Sequence, residues 1–258
     1  MTSCVLPIVA PVPPVLRDEA LCTRYMARQP ILDREGQTHA YEVLFRSGRR
    51  NFYSACDPDA ASCSVIDLFL HLGFDPLIDG LVAFINCTRK ILLCDVITLL
   101  PRDQVIVEVL EDVPADPEVV AGCDRLRRAG YKIALDDYVP TPDTRRLLPF
   151  ADIVKVDILA TDAASQAEIA FDMHRRGISL AAEKVETREQ FDLAQRLGFD
   201  YFQGYYLGKP EILTLHDLPC SKRAVAQLLS SADASTAFTN WSRPFRTGFR
   251  SDTGCCPS

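Results

Sequence analysis

Two adjacent carboxylates follow a short apolar segment in the middle of the chain. Residues 133–135 have strand character, and they run directly into Asp136 and Asp137, which precede a proline-rich turn. Two acids side by side at a strand end repel each other unless a cation lies beside them. The pair is therefore a candidate metal site. An exposed acidic turn after a buried strand is the alternative, because Asp is a common turn residue.

Polar residues also end most of the other apolar segments. The strand-end residues are Asn86, Glu108, Asp136, Lys155, Glu183 and Gln203. Between these segments the apolar spacing is helical, and glycine often follows it. Short apolar strands that alternate with amphipathic helices predict an α/β fold with a parallel sheet and crossover helices. In a parallel barrel the carboxyl ends of the strands lie on one face, where active sites form, so we expect these side chains to share one mouth.

The first predicted elements form a hairpin. Its strands are 26–32 and 39–46, and alternation places Glu42, Leu44 and Arg46 on one face of the second strand. That face is either solvated or presents a carboxylate ligand and an anion-binding guanidinium to a cavity. Further strands are predicted at 81–85, 104–111, 133–135, 153–157, 178–183 and 200–203, and helices at 62–72, 88–100, 117–129, 143–148, 164–176 and 188–197.

Length and composition limit the class of protein. The chain has 258 residues, a net charge of −7 and an apolar share of 48%, enough for one α/β barrel or two smaller domains. The acidic balance argues against a nucleic-acid surface, which needs a basic patch. The ten cysteines include no CxxC pair, and we interpret them as reduced thiols of a cytoplasmic protein rather than as a zinc or disulfide framework. No stretch has the length and apolar character of a membrane span.

The types of the candidate ligands indicate the metal. They are carboxylates and one amide, without histidine or cysteine, and this set suits Mg²⁺ or Mn²⁺ rather than zinc. Asp136 is positioned to bridge two ions, with Asp137 on the second. Two such ions generate a hydroxide and stabilise the charge that develops on a phosphodiester. Lys155 would orient the water, and an ordinary ion-pair lysine is the alternative.

Many short motifs, in order, resemble the signature of EAL domains. They are Gln29-Pro30-Ile31, Glu42-Val43-Leu44 with Arg46, Asn86, Glu108 with Glu111, Asp136-Asp137, Lys155 with Asp157, Ala182 to Thr187, and Gln203-Gly204 followed by Pro210. EAL domains are TIM-like (β/α)₈ barrels that hydrolyse cyclic di-GMP to linear pGpG. The resemblance covers most of the chain.

The resemblance implies a role for each matching residue. One metal would be held by Glu42, Asn86, Glu108 and Asp136, and the other by Asp136, Asp137 and Glu183. Lys155 and Glu183 would position or activate the water. The nucleotide would be bound by Gln29, Leu44, Arg46, Asp157, Glu186 and Gln203, with Arg46 at a phosphate. Glu111 would support the loop after the aspartate pair.

Three departures from the EAL pattern bear on activity. The loop after the aspartate pair has prolines where the family has two glycines, so the second metal and the dimer contact are in question. Lys184 replaces the glycine that follows the catalytic glutamate, and the connection from Asn86 to Glu108 is short. These departures are most similar to the EAL domains that precede an HDOD signalling module.

Domain organisation and function follow as expectations. We predict a flexible lead-in at 1–22, an EAL-like barrel at 23–213, and a tail at 214–258 that is partly disordered or a truncated HDOD module, with a short helix at 221–230. A metal-dependent phosphodiesterase, a cyclic di-GMP receptor without turnover and a protein-interaction scaffold all stay open. The expected partners are cyclic di-GMP and a signalling protein, without nucleic acid or membrane. The oligomeric state, including a homodimer, is left open.

Overall fold

The computed structural model describes residues 22–46 and 57–218. The strands in this part of the chain are β1 (Cys22–Leu32), β2 (Thr38–Arg46), β3 (Val82–Cys87), β4 (Val105–Val109), β5 (Lys132–Leu135), β6 (Ile153–Asp157), β7 (Ser179–Glu183), β8 (Tyr201–Phe202) and β9 (Glu211–Leu218). The helices are α1 (Pro58–Leu72), α2 (Asp75–Ile78), α3 (Arg89–Leu93), α4 (Pro117–Arg128), α5 (Thr144–Leu147), α6 (Ala163–Arg176) and α7 (Arg188–Arg196), with 3₁₀ turns at Val96–Leu99 and Leu148–Phe150.

Strands β1 to β8 form a closed barrel. Strands β2 to β8 are parallel, and each is hydrogen-bonded to the next. The barrel closes through β1, which lies between β8 and β2 and is antiparallel to both. Helices connect the parallel strands from β2 onward, as right-handed crossover connections require. The predicted hairpin and the predicted eight-stranded α/β barrel are both confirmed.

A layer of apolar side chains fills the inside of the barrel. Each of β1 to β7 contributes one buried residue to it: Ile31, Ala40, Phe84, Ile106, Ala134, Ile153 and Ala181. Alternate residues of a strand face the same side. The residues two positions further along β2 to β7 therefore face the same interior, one layer nearer the carboxyl ends. They are Glu42, Asn86, Glu108, Asp136, Lys155 and Glu183.

The connection between β3 and β4 differs from the prediction. One continuous helix was expected at 88–100, and the structure has α3 followed by a separate 3₁₀ turn. The chain leaves the helix at Asp95, whose φ of 52° lies in the left-handed region. Asp tolerates that conformation better than most residues because its side chain is short and polar. The Asp95 carboxylate is also 3.2 Å from the Arg125 guanidinium, which helps to hold the break.

Strand β9 was not predicted. It pairs antiparallel with the first half of β1, from Cys22↔Leu218 to Arg28↔Glu211, so the barrel boundary predicted at 213 falls inside a strand. Residues 1–21 of the lead-in expected at 1–22, and residues 219–258 of the tail expected at 214–258 with its HDOD and short-helix hypotheses, lie outside the described residues. In the described part of the chain, no helix combines the length and apolar character needed to span a membrane.

Four cysteines have described side chains. Cys63, Cys87, Cys94 and Cys123 are free thiols, and all but Cys94 are buried. Burial raises the pKa of Cys63 and of Cys123 to about 11. These thiols therefore remain protonated and poorly nucleophilic at neutral pH.

Candidate active site

Lys155 lies at the centre of the barrel mouth, with its side chain 1% exposed. Its Nζ contacts Glu108 Oε1 and lies 2.7 Å from Glu183 Oε1, 3.1 Å from Asp136 Oδ1 and 3.7 Å from Glu42 Oε2. Four carboxylates from four strands thus surround one ammonium group. The structure brings these predicted residues together, as the parallel barrel requires.

The carboxylates outnumber the cation, and their pKa values reflect this imbalance. Burial raises the pKa of Glu108 well above its ordinary value, although Lys155 acts in the opposite direction. Burial likewise raises the pKa of Glu183 to about 8. At Asp136 burial also favours the neutral form, but the Lys155 ammonium and the hydrogen bonds of this carboxylate together outweigh burial, and the pKa is lowered. The pKa of Lys155 is raised because the surrounding acids outweigh its burial. The cluster therefore has capacity for further positive charge.

The ligand atoms fit a hard divalent cation. Glu108, Asp136 and Glu183 each offer one oxygen, and these oxygens lie within 4.8 Å of one another. Glu108 Oε2, Asn86 Oδ1 and Asp137 Oδ1 are buried and have no hydrogen-bond partner among the described residues. Buried oxygens normally have partners, and a Mg²⁺ or Mn²⁺ ion would satisfy several of them at once.

A side-chain network joins Glu42 to Gln29 on the neighbouring strand β1 and to Gln203 at the end of β8. Gln203 Nε2 donates to Glu42 Oε2 at 2.6 Å and to Gln29 Oε1 at 3.2 Å. Gln29 in turn donates to the Gly208 carbonyl oxygen at 3.2 Å, and Asn86 Nδ2 is 3.5 Å from Glu42 Oε1. Glu42, one of the four carboxylates around Lys155, thus also contacts Asn86 and Gln203.

A cavity of about 410 Å³ opens beside the cluster. Its wall includes Gln29, Glu186 and Gln203, three of the six residues predicted to bind the nucleotide. It also includes Tyr205, a residue that sequence reasoning missed and that is 58% exposed. The available signal was its position two residues after the strand-end Gln203.

Asp157, one of the residues predicted to bind the nucleotide, has other contacts. Asp157 Oδ1 accepts the backbone N–H groups of Leu159 and Ala160, and its Oδ2 contacts Lys184 Nζ. These contacts favour a role in holding the loop after β6 over the predicted substrate contact. Leu44 is half-buried opposite Ala27.

Arg46 ends β2. Its guanidinium donates to the Phe45 carbonyl oxygen at 3.0 Å. The phosphate contact of Arg46 and the nucleotide contact of Leu44 stay predictions.

The loop after the aspartate pair is held by its own residues. The Tyr138 N–H donates to the Lys155 carbonyl oxygen at 2.9 Å, and the Thr144 hydroxyl donates to the Val139 carbonyl oxygen at 2.6 Å. Glu111, predicted to support this loop, is exposed and forms no hydrogen bond or ion pair with any part of the chain that the structure describes. The supporting role of Glu111 stays a prediction.

Gly204 explains part of the Gln203-Gly204 motif. A Cβ at Gly204 would lie 2.1 Å from the carbonyl oxygen of Val185, a distance at which atoms overlap. The loop after β7 therefore passes so close to the end of β8 that only glycine fits. This contact positions Lys184 and Glu186 beside Gln203.

Comparisons with known proteins agree with this geometry. Residues 87–210 match the EAL domain family. The uncharacterized protein YuxH of Bacillus subtilis is 37% identical over 212 residues, which cover 80% of this chain and 52% of YuxH. The cyclic di-GMP phosphodiesterase CdgJ of Vibrio cholerae is 38% identical over 200 residues, which cover 76% of this chain and 46% of CdgJ. Over residues 87–210 the chain is similar to EAL domains, and it spans about half the length of these relatives.

Solved structures show the same fold. The EAL-domain protein YkuI of Bacillus subtilis, in complex with cyclic di-GMP and calcium, superposes with a TM-score of 0.58 at 21% identity, covering 81% of this chain and 61% of YkuI. The manganese and cyclic di-GMP complex of BlrP1 of Klebsiella pneumoniae gives a TM-score of 0.60 at 24% identity, covering 75% of this chain and 57% of BlrP1.

Proposed function

We propose that this protein is a divalent-cation-dependent phosphodiesterase that hydrolyses cyclic di-GMP to linear pGpG. The observation that carries the proposal is the group of Glu108, Asp136 and Glu183, with a buried unpartnered oxygen on Glu108, next to an open cavity. The relative CdgJ is named a cyclic di-GMP phosphodiesterase, which supports the choice of substrate.

The carboxylate cluster would hold the ion. Glu108, Asp136 and Glu183 would be the main ligands, with Glu42 and Asn86 at the side and Asp137 next to Asp136 at the rim. The bound cation would supply Lewis-acid activation of water and stabilise negative charge on the phosphate. Either Mg²⁺ or Mn²⁺ suits this oxygen donor set.

Glu183 and Lys155 would manage charge and protons during hydrolysis. One water molecule is added: its oxygen bonds to phosphorus as one P–O ester bond breaks, and one of its protons ends on the leaving oxygen. Glu183 would accept the proton that the water loses and pass it to the leaving oxygen. Lys155 holds Glu108, Glu183 and Asp136 in place and limits their mutual repulsion.

The cavity wall would orient the nucleotide. Gln29, Glu186 and Gln203 offer amide and carboxylate groups that suit the edges of guanine bases. Arg46 and Leu44 would add a phosphate contact and an apolar contact from β2, and Asp157 would act through the neighbouring loop. We place the reaction in the cytoplasm, in line with the free thiols. We also propose a signalling protein as a partner of this chain.

A receptor that binds cyclic di-GMP without turnover is the second candidate. The observation that favours it is the ammonium of Lys184, which contacts Asp157 and lies 3.5 Å from Asp137 at the rim of the site. A cation at that position changes the charge available for catalysis, while Gln29 and Gln203 still line the cavity that would hold the nucleotide.

Incubation of purified protein with cyclic di-GMP and Mn²⁺ or Mg²⁺ tests both functions, with binding and pGpG followed in the same samples. We expect product that disappears with EDTA, and its loss in Asp136→Asn but not in Asp112→Asn, which changes an exposed aspartate outside the carboxylate group. Binding without product in the unmodified protein would favour the receptor. Absence of both binding and product would overturn both functions.

A further inference from the structure

We propose that Lys184 is a built-in cation that replaces the second divalent ion at Asp137, so that the protein binds a single ion at Glu108, Asp136 and Glu183. This inference rests on the proposed function, because it concerns the same carboxylate mouth. It assigns Lys184 as a positioning residue that sets the number of metal ions.

The backbone of Lys184 is unusual for a long side chain. Its φ of 57° lies in the left-handed region, which costs free energy for residues with a Cβ. Lys184 directly follows Glu183, whose side chain faces the barrel interior, so a regular strand would turn Lys184 away from the mouth. The left-handed turn is instead accompanied by contacts of its Nζ with Asp157 and, at 3.5 Å, with Asp137 Oδ2.

Asp157 fixes the position of the ammonium. Its Oδ1 accepts the N–H groups of Leu159 at 2.8 Å and of Ala160 at 3.0 Å, while Oδ2 contacts Lys184 Nζ. The carboxylate is therefore anchored to the backbone and cannot follow a mobile lysine. An ammonium held in this way stays beside Asp137, and a second divalent ion at Asp137 would meet its repulsion.

Charge balance separates the two parts of the mouth. The deep part has four carboxylates around Lys155 and keeps negative charge for a divalent ion. The rim has two carboxylates for Lys184, and one of them is already engaged with backbone N–H groups. The rim therefore lacks the negative charge that a second divalent ion needs.

The test counts Mn²⁺ ions on EDTA-stripped protein, by the loss of the free Mn²⁺ signal in electron paramagnetic resonance. We expect one tight site in the unmodified protein. Lys184→Gln removes the charge, and Lys184→Gly also relieves the backbone, so both should show a second site that binds about tenfold more tightly than any second site of the unmodified protein. Lys184→Arg keeps the positive charge and should therefore keep the single site. Lys209→Gln, which removes an exposed lysine beside Tyr205, should leave it unchanged.

Two results would count against different proposals. Two equivalent sites in the unmodified protein, or one site in both Lys184→Gln and Lys184→Gly, would overturn the role of Lys184 and leave the phosphodiesterase proposal intact. No Mn²⁺ binding in the unmodified protein or in any variant would overturn the metal-dependent function itself. Thermal unfolding of each variant establishes that the counted protein is folded.

Discussion

Replacement of Lys155 by methionine should destabilise the ion-free protein strongly. Lys155 is 1% exposed, and its Nζ is the shared partner of Glu108, Glu183 and Asp136. Methionine fills a similar volume but leaves these acids in a buried site without a cation. Removing one partner from a buried ion pair costs about 3–5 kcal/mol, a large part of a typical stability of about 5–15 kcal/mol.

A divalent ion should restore much of this loss. An ion at a hundredfold excess over its dissociation constant adds about 2.7 kcal/mol to the free energy of unfolding. In Lys155→Met the ion would be the principal positive charge among the four acids, so the variant should gain more from Mn²⁺ than the unmodified protein does. Bound Mn²⁺ is therefore expected to offset much of the free energy of unfolding that Lys155→Met loses.

Urea unfolding followed by circular dichroism, in EDTA and in Mn²⁺, measures both effects. Lys132→Met is the matched control, because Lys132 is exposed on the neighbouring strand β5, and it should change stability by less than about 0.5 kcal/mol. The reasoning would be refuted by a Lys155→Met protein as stable in EDTA as the control. It would also be refuted if Mn²⁺ stabilised Lys155→Met no more than the control.

Three further predictions concern other parts of the barrel. Gly204→Ala should lower the free energy of unfolding by at least about 1 kcal/mol more than Gly36→Ala, because a Cβ at Gly204 would overlap the Val185 backbone whereas a Cβ at Gly36 would meet no atom within 4 Å. Chemical denaturation of both variants measures the difference. Glu111→Ala should change stability by less than about 0.5 kcal/mol and leave nucleotide affinity unchanged. A larger loss of stability or a loss of affinity would favour the supporting role predicted for Glu111. Asp162 accepts the Ser165 N–H, which lowers its pKa, so its stabilisation is present above the unfolded pKa and is lost as pH falls through the folded pKa; unfolding of Asp162→Asn against pH should converge with the unmodified protein only in acid.

The positions of the site residues follow from sequence periodicity. In β4, β5 and β7 an apolar layer residue precedes a carboxylate by two positions, as in Ile106 and Glu108 or Ala181 and Glu183. Since alternate side chains share a face and parallel strands end at one edge, a polar residue at such a strand end is predictable as part of a mouth. The local pattern thus carried most of the fold and the main ligand group.

Other features depend on contacts that local patterns do not contain. Strand β9 and the first residues of β1 are each ordered by pairing with the other, about 190 residues away in sequence. The break at Asp95 reflects a left-handed residue that helical spacing cannot reveal. The hydrogen bonds that hold the loop after the aspartate pair, from the Thr144 hydroxyl and to the Lys155 carbonyl oxygen, are likewise not visible in the sequence pattern.

Residue type alone does not predict which side chains face the mouth, as Lys155 and Lys184 show. Lys155 occupies an interior position on β6, so alternation already directs it toward the acids. Lys184 occupies the position after an interior glutamate, where alternation directs a side chain outward, and only a left-handed backbone and the anchored Asp157 explain its contact with the rim. One lysine thus compensates the deep carboxylates and the other the shallow pair. Because the deep group keeps an excess of acids and the rim does not, the two lysines together determine where a divalent ion binds and how many the mouth can hold.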